Sequence, residues 1–400
     1  MTASAPSARW VQRVCLLVCD SWGVGDAPDA AAYDDAGSNT LGNTSREVGG
    51  LDVPTLESLG LGYLTDIQGV APRAEPGTAH GRATEISAGK DTTTGHWEMM
   101  GIRLERPFPL YPGGFPPEII QPFERAIGRP VLGNIPASGT EIIRQLGEEH
   151  LRTGFPIVYT SGDSVFQVAT HIDIVPLELL YAWCRVARGL LTGKHNVGRV
   201  IARPFQGRPG AFERRPDRRD FSVPPPGPTV LDRLNDAGVP VFGVGKIQDI
   251  FDQRGITDAV YSDSNDHGVD LTVELLREPG PVFVFSNLVD FDSKYGHRND
   301  PAGYASAVRA LDRRLPEVID AVDGGVLLMT GDHGCDPTTP STDHSRERTP
   351  LLAAGLPAGP YDLGTRATFG DLGHTVAQLL GVEVEGLVGE GFADQIGYRT

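Results

Sequence analysis

Two Asp-His pairs stand eleven residues apart in the stretch from Gly324 to Pro350: Asp332-His333, which leaves the apolar run Val326 to Met329, and Asp343-His344, beyond a loop of Pro, Thr and Ser. Carboxylate oxygens and imidazole nitrogens delivered from one strand end and one loop are donors suited to a divalent metal; a turn with Asp bonded to its own backbone and His on the surface is the other reading. Two more apolar runs end in acids. Val14 to Cys19 leads into Asp20, and Val282 to Leu288 leads into Asp290, Asp292 and then Tyr295-Gly296-His297. The stretch Gly89 to Glu98, GKDTTTGHWE, sets three threonines before Gly-His. They either cap a helix starting near Trp97, or present a hydroxyl at a helix N-terminus, where backbone N–H groups favour an anion such as a transferring phosphoryl group.

A threonine hydroxyl is a weak nucleophile at neutral pH and needs a base or a metal to hold it as the alkoxide. Asp20, Asp292, His297, Asp332, His333 and His344 are enough to hold two divalent ions. Three carboxylates against two such ions leave a charge of roughly +1, which attracts a phosphate dianion. Oxygen and nitrogen donors without thiolate suit Mn²⁺, Zn²⁺ or Mg²⁺-like ions. Cys335 is close enough in sequence to reach the same place. Arginine is concentrated elsewhere, at Arg199, Arg203, Arg208, Arg214, Arg215, Arg218 and Arg219. That run is either a solvated basic loop or a bidentate trap for a substrate phosphate. Ser161 and Asp163, in Thr160-Ser161-Gly162-Asp163-Ser164, could direct hydrogen bonds to a sugar, or simply form a loop.

The elements that must position these groups follow from pattern. The three apolar runs read as strands buried on both faces, and a fourth, Val239 to Val244, ends in Gly245-Lys246. Helical spacing appears over Thr229 to Gly238, Ala302 to Val322 and Leu372 to Leu380. In open α/β sheets ligands bind beyond the carboxyl ends of the strands, so the acids are expected at one sheet edge. Proline-rich stretches at Pro107–Pro117 and Val223–Pro228 read as linkers. The expected layout is a core of residues 1–105 and 224–400 with an inserted α+β domain at 106–223, in which Ile157–Thr160 and Val200–Ala202 read as strands and Leu177–Leu191 as a helix.

With 400 residues, 40% hydrophobic and 22% charged, the composition is that of a globular chain too long for one core. A net charge of −17 argues against nucleic acid or an anionic membrane as the main partner. Four cysteines without CxxC spacing read as reduced thiols, and no apolar stretch has the length of a signal peptide core or membrane span, so a cytoplasmic chain is expected. Nothing points to an obligate protein partner.

Together the motifs resemble those of the phosphopentomutases, a family of the alkaline phosphatase superfamily of two-metal phosphoryl-transfer enzymes. Four stretches carry the likeness: Asp20-Ser21 through Ala30, Gly89 through Glu98, Asn287 through His297, and Thr330-Gly331-Asp332-His333-Gly334 through His344. TGDHG is shared across the superfamily, whereas the threonine-based GKDTTTGHWE separates this family from cofactor-independent phosphoglycerate mutases, which place serine there. The resemblance implies an alkaline-phosphatase-like α/β core sheet with helices on both faces and an inserted α+β cap that closes as a lid. It implies Thr92, rather than Thr93 or Thr94, as the phosphorylated residue bridging two metals. Asp20, Asp332 and His333 would hold one metal, and Asp292 (not Asp290), His297 and His344 the other. Ser161, Asp163, Arg199, Arg214 and Lys246 match positions that hold the pentose phosphate. The implied reaction interconverts ribose 1-phosphate and ribose 5-phosphate, and the deoxyribose equivalents, in nucleoside salvage, through a 1,5-bisphosphate. Two Mn²⁺ per chain and a sugar bisphosphate activator such as glucose 1,6-bisphosphate are implied too. Trp22 departs from the smaller residue usual beside the first ligand, which puts local packing in question. A phosphomonoesterase or phosphodiesterase on the same metal core, and a non-catalytic metal-binding protein, are the rival readings.

Overall fold

The computed structural model describes residues 11–161 and 164–398. The chain divides into two compact units, one formed by Met1–Arg106 with Pro225–Thr400 and the other by Pro107–Pro224. In chain order the strands are β1 (Arg13–Cys19), β2 (Thr78–Ala83), β3 (Leu132–Pro136), β4 (Ile157–Thr160), β5 (Val165–His171), β6 (Arg199–Arg208) and β7 (Ala211–Arg214). They continue with β8 (Arg219–Ser222), β9 (Val241–Val244), β10 (Asp258–Val260), β11 (Val282–Leu288), β12 (Val326–Thr330), β13 (Thr349–Ala354) and β14 (Tyr361–Arg366).

The first unit is built on an eight-stranded sheet in the order β10-β9-β11-β1-β12-β13-β2-β14. From β10 through β12 all neighbours run parallel. The strands at its centre have continuous apolar runs because both faces are covered: Val14 through Cys19, all of β11 and all of β12 are buried. The edge strands β10 and β14 are more open. The helices Asn265–Leu276 and Pro301–Ala321 belong to the core against one face, with Leu17, Val284 and Leu327. Pro301–Ala321 starts where Asp300 accepts from Gly303 N at 2.9 Å with Pro301 in the first turn, and it buries Tyr304, Val308, Leu311, Leu315 and Val318. Each such side chain contributes about 1.5–3 kcal/mol on burial. The helix Val230–Asp236 opens on a reciprocal capping box between Thr229 and Asp232. This arrangement is the α/β core that the strand pattern predicts.

The second unit carries a six-stranded sheet, β3-β4-β5-β6-β7 with β8 also pairing β6. Helices Pro117–Ile127 and Leu177–Leu190 share one apolar cluster with it, and Gly139–Thr153 shares another. Four of the six strands lie beyond the two that the sequence pattern marks. β3 contains Gly, Asn and Pro, and β7 and β8 are polar strands with arginines, so none of these shows an apolar run. Among the described residues no helix is long and apolar enough to cross a membrane.

Candidate active site

Asp91 sets the geometry of the threonine stretch. Its extended backbone and side chain cap a helix that begins at Thr92 and runs to Met99, five residues ahead of Trp97. The threonines are therefore the first turn of that helix, and Asp91 is its cap. Thr94 is fully buried, and its hydroxyl donates to Asp91 at 2.5 Å while its N–H donates to the same carboxylate at 3.1 Å. Thr92 is only partly buried, and its Oγ1 lies 3.2 Å from His333 Nε2. Gly95 is required here, since a Cβ would sit 2.2 Å from the Asp332 carbonyl oxygen. That close approach brings the helix start onto the loop leaving β12. Glu98, deep in the helix, accepts from Ile86 N, Ser87 N, Phe369 N and the Thr368 hydroxyl, fixing the helix to its surroundings.

The register Cys19 with Leu288 and Val18 with Thr330 makes Asp20, Asp292 and Asp332 leave three adjacent strands at one edge. All three are buried. His333 Nε2 faces Asp20 Oδ1 at 3.5 Å and Asp332 Oδ2 at 3.3 Å. Asp292, in a π-helical turn after β11, meets His297 Nε2 at 3.3 Å and His344 Nε2 at 3.4 Å. The His333 and His344 rings, 3.9 Å apart between centroids, join the two halves. Donor atoms of Asp20, Asp332 and His333, of Asp292, His333 and His344, and of Asp292, His297 and Cys335 each lie within 4.8 Å of one another. Asp290 takes another role, accepting from Asn265 N and Lys294 Nζ, each at 3.0 Å. Asp343 accepts from its neighbour His344 N and pairs with Lys90 at 3.7 Å.

The electrostatics call for cations. Asp20 Oδ1, Asp292 Oδ1 and Asp332 Oδ2 are buried oxygens with no hydrogen-bond donor, an expensive state for charged groups. Burial, with the nearby Asp332 and Asp292 charges outweighing Lys246, pushes the Asp20 carboxyl up to about 7. Burial also lowers His333 to about 4, so its imidazole is neutral. With Nδ1–H donating to the Gly334 carbonyl at 3.0 Å, His333 turns a lone pair on Nε2 toward two carboxylates. His297 shows the opposite balance: burial, the largest influence, lowers it, but Asp292 and Cys335 together outweigh burial and raise it to about 12. Lone pairs and carboxylate oxygens facing one another across such distances fit divalent ions between them.

The family model for the metalloenzyme superfamily matches residues 12–384. The phosphopentomutase of Anaeromyxobacter dehalogenans strain 2CP-1 is 60% identical over 387 residues, covering 96% of this chain and 99% of that protein. Those of Caldanaerobacter subterraneus subsp. tengcongensis and Acetivibrio thermocellus are 54% and 53% identical, covering 93% and 96% of this chain and 95% and 100% of theirs. The chain belongs to the phosphopentomutase family of the metalloenzyme superfamily. It is accordingly an isomerase of the intramolecular phosphotransferase class.

Against that family background, the remaining residues fall in two places. Lys246 Nζ lies 3.7 Å from Asp20 Oδ2, beside Asn287, whose side chain donates to the same oxygen at 3.2 Å. In the second unit, Arg199 and Arg203 alternate along β6 and Arg214 pairs opposite Phe205, so the three share one face of the sheet. Arg199 faces Asp220 at 3.6 Å, and Arg214 is exposed. Ser161 is partly buried just past β4, and Asp163 lies outside the described residues. Trp22 is fully buried and packs edge-on against Phe291 at 5.3 Å, so the core has room for the large ring.

Sequence reasoning passes over two supports of the site. Arg346, 2% exposed, pairs with Glu85 at 2.6 Å and Asp29 at 3.1 Å and donates to the Gly89 carbonyl at 2.5 Å, fixing the loop that enters the threonines. Glu347 accepts from Thr40 N, the Thr40 hydroxyl, the Ser345 hydroxyl and Gly25 N. Their only signal is a dense Arg-Glu-Arg run that follows His344 after one serine.

Proposed function

We propose that the chain interconverts ribose 1-phosphate and ribose 5-phosphate, and their 2-deoxy equivalents, with Thr92 as the phosphate carrier. The observation that carries this reading is the Thr92 hydroxyl 3.2 Å from His333 Nε2, beside three buried carboxylates whose free oxygens lack donors. In the proposed assignment Asp20, Asp332 and His333 hold one divalent ion and Asp292, His297 and His344 the other, with Mn²⁺ as the working metal. When bound, such ions stabilise an alkoxide and offset the charge of a transferring phosphoryl group. Phospho-Thr92 gives its phosphoryl group to the free hydroxyl of the pentose monophosphate: the Thr92 Oγ–P bond breaks, a sugar O–P bond forms, and the hydroxyl proton is balanced at the released Thr92 oxygen. The resulting 1,5-bisphosphate returns its other phosphate to Thr92. A sugar bisphosphate such as glucose 1,6-bisphosphate primes the first phosphorylation. Asp91 and Gly95 hold the helix start in place, and Glu98 anchors the helix behind it.

Ser161, Asp163, Arg199, Arg214 and Lys246 are proposed to bind the pentose phosphate, with the 107–224 unit acting as a cap that keeps water from phospho-Thr92. Three cationic side chains among them suit a dianion. The composition supports a cytoplasmic setting without nucleic acid or a membrane as the main partner, and no obligate protein partner is inferred. The deciding experiment is phosphorus NMR of ribose 1-phosphate with the full chain, Mn²⁺ and a trace of sugar bisphosphate. Appearance of the 5-phosphate signal without inorganic phosphate is expected; inorganic phosphate forming as fast as the isomer would replace this reading with a hydrolase.

A further inference from the structure

The reaction as proposed makes no use of Cys335, whose side chain is 1% exposed at the edge of the site. Its thiol and one donor atom each from Asp292 and His297 lie within 4.8 Å of one another. Three features aim these donors at a shared point. His297 Nδ1 is occupied by the Thr342 carbonyl at 2.7 Å, which turns Nε2 toward Asp292 Oδ2 at 3.3 Å. Asp292 is 4% exposed and splits its oxygens, with Oδ2 on the His297 side and Oδ1 facing His344 Nε2 at 3.4 Å. The thiol meets the His297 ring and lies 3.6 Å from the Asp343 carbonyl, and its backbone N–H is fixed by the Thr40 hydroxyl at 3.1 Å. Gly296 provides the space, because a Cβ there would lie 2.9 Å from Sγ.

Carboxylate and imidazole alone suit Mn²⁺ and similar ions, whereas adding a thiolate shifts preference to soft ions. We infer that Asp292, His297 and Cys335 form a coordination set for a thiophilic divalent cation, Zn²⁺ or Cd²⁺. On binding, the S–H proton and the His297 Nε2 proton leave to solvent and bonds to the metal replace them, so two protons are released per ion. The set shares Asp292 and His297 with the second ion position of the proposed function, and rests on that reading for those two ligands. Mn²⁺ leaves the thiol protonated; a soft ion is drawn toward Cys335 and away from His344, so the centre responds differently to the two metal classes.

The test titrates the metal-free full chain separately with Cd²⁺, followed by the ultraviolet thiolate-to-cadmium charge-transfer band, and with Mn²⁺, followed by electron paramagnetic resonance. Expected is a band saturating with one Cd²⁺ per chain that is lost in Cys335→Ser. That variant should bind Cd²⁺ at least ~tenfold more weakly, with Mn²⁺ binding changed less than about twofold. Gly296→Ala, which keeps every ligand but crowds Sγ, should also weaken the band, and it serves where Cys335→Ser fails to fold. Mn²⁺ binding with no thiolate band from bound Cd²⁺ overturns the thiol ligand alone, as does a band that persists in Cys335→Ser. Failure to bind either ion overturns the two-ion reading as well.

Discussion

Three adjacent threonines differ in what their hydroxyls can do. Thr94 spends its hydroxyl on Asp91, and Thr93 is buried, while Thr92 faces His333 Nε2. Thr92→Ala should therefore lower isomerisation by about a thousandfold or more and abolish the phosphoenzyme seen by intact mass, with the fold retained by circular dichroism. Comparable turnover would remove Thr92 from the mechanism. Glu347 tests burial rather than chemistry. Its carboxyl is raised from 4.5 to about 7 by burial, which outweighs the donors from Thr40 and Ser345. The unfolded chain releases this proton near 4.5 and the folded chain keeps it to about 7, so the contribution is full below the lower value and falls as pH rises between them. Glu347→Gln, whose amide can meet the same hydroxyls, removes that slope. Urea unfolding from pH 4.5 to 7.5 should show the variant gaining about 2–3 kcal/mol relative to the parent chain. A constant difference would show that folding leaves the Glu347 carboxyl unshifted.

At the scale of elements, the site depends on loops held by buried ion pairs more than on the strands that launch them. Arg346 reaches Glu85 after β2, the Gly89 carbonyl and Asp29, tying three segments far apart in sequence. Removing one partner leaves the other buried without compensation, at a cost of about 3–5 kcal/mol. Arg346→Met should lose that much in urea unfolding, and adding Glu85→Gln should cost less than the two single changes summed, because the double variant strands no buried charge. Additive losses would mean the two side chains act independently. The strands themselves were readable: VCLLVC, VFVFSNL and VLLMT can lie only at the centre of a covered sheet, and the acids after them mark its carboxyl edge. What the residues alone left open was which side chain of each cluster points inward. Asp290 and Asp292 are two positions apart, and only the π-helical turn, which no local propensity signals, separates the carboxylate facing His297 from the one facing Lys294. Resemblance chose Asp292 and Thr92; Asp292 lies beside His297 and His344, and Thr92 beside His333. In the second unit the polar strands β7 and β8 were illegible because they are held by pairing with β6, with no apolar periodicity of their own.

At the scale of the molecule, the candidate ligands are distributed unevenly between the two units. Asp20, Asp292, His297, Asp332, His333 and His344 all belong to Met1–Arg106 with Pro225–Thr400, and they arrive from segments at both ends of the sequence. Without cations, three buried carboxylates repel one another in a chain that already carries a net charge of −17. Metal binding at the proposed ligands would therefore act as a clasp across the sequence gap of this unit, since any ion that binds only the folded state stabilises it by mass action, by about 2.7 kcal/mol per site at a hundred times the dissociation constant. The unit Pro107–Pro224 contributes no member of this set. Its local openings should not feel the metal. Hydrogen exchange of the chelated full chain, with and without saturating Mn²⁺, should show slower exchange at the loops after β1, β11 and β12 and at the start of the helix Thr92–Met99. Amides of β4, β5 and β6 should exchange at unchanged rates, provided that they exchange by opening of their own unit. Equal protection in both units would mean that they unfold as one body, and no protection in either would remove the clasp.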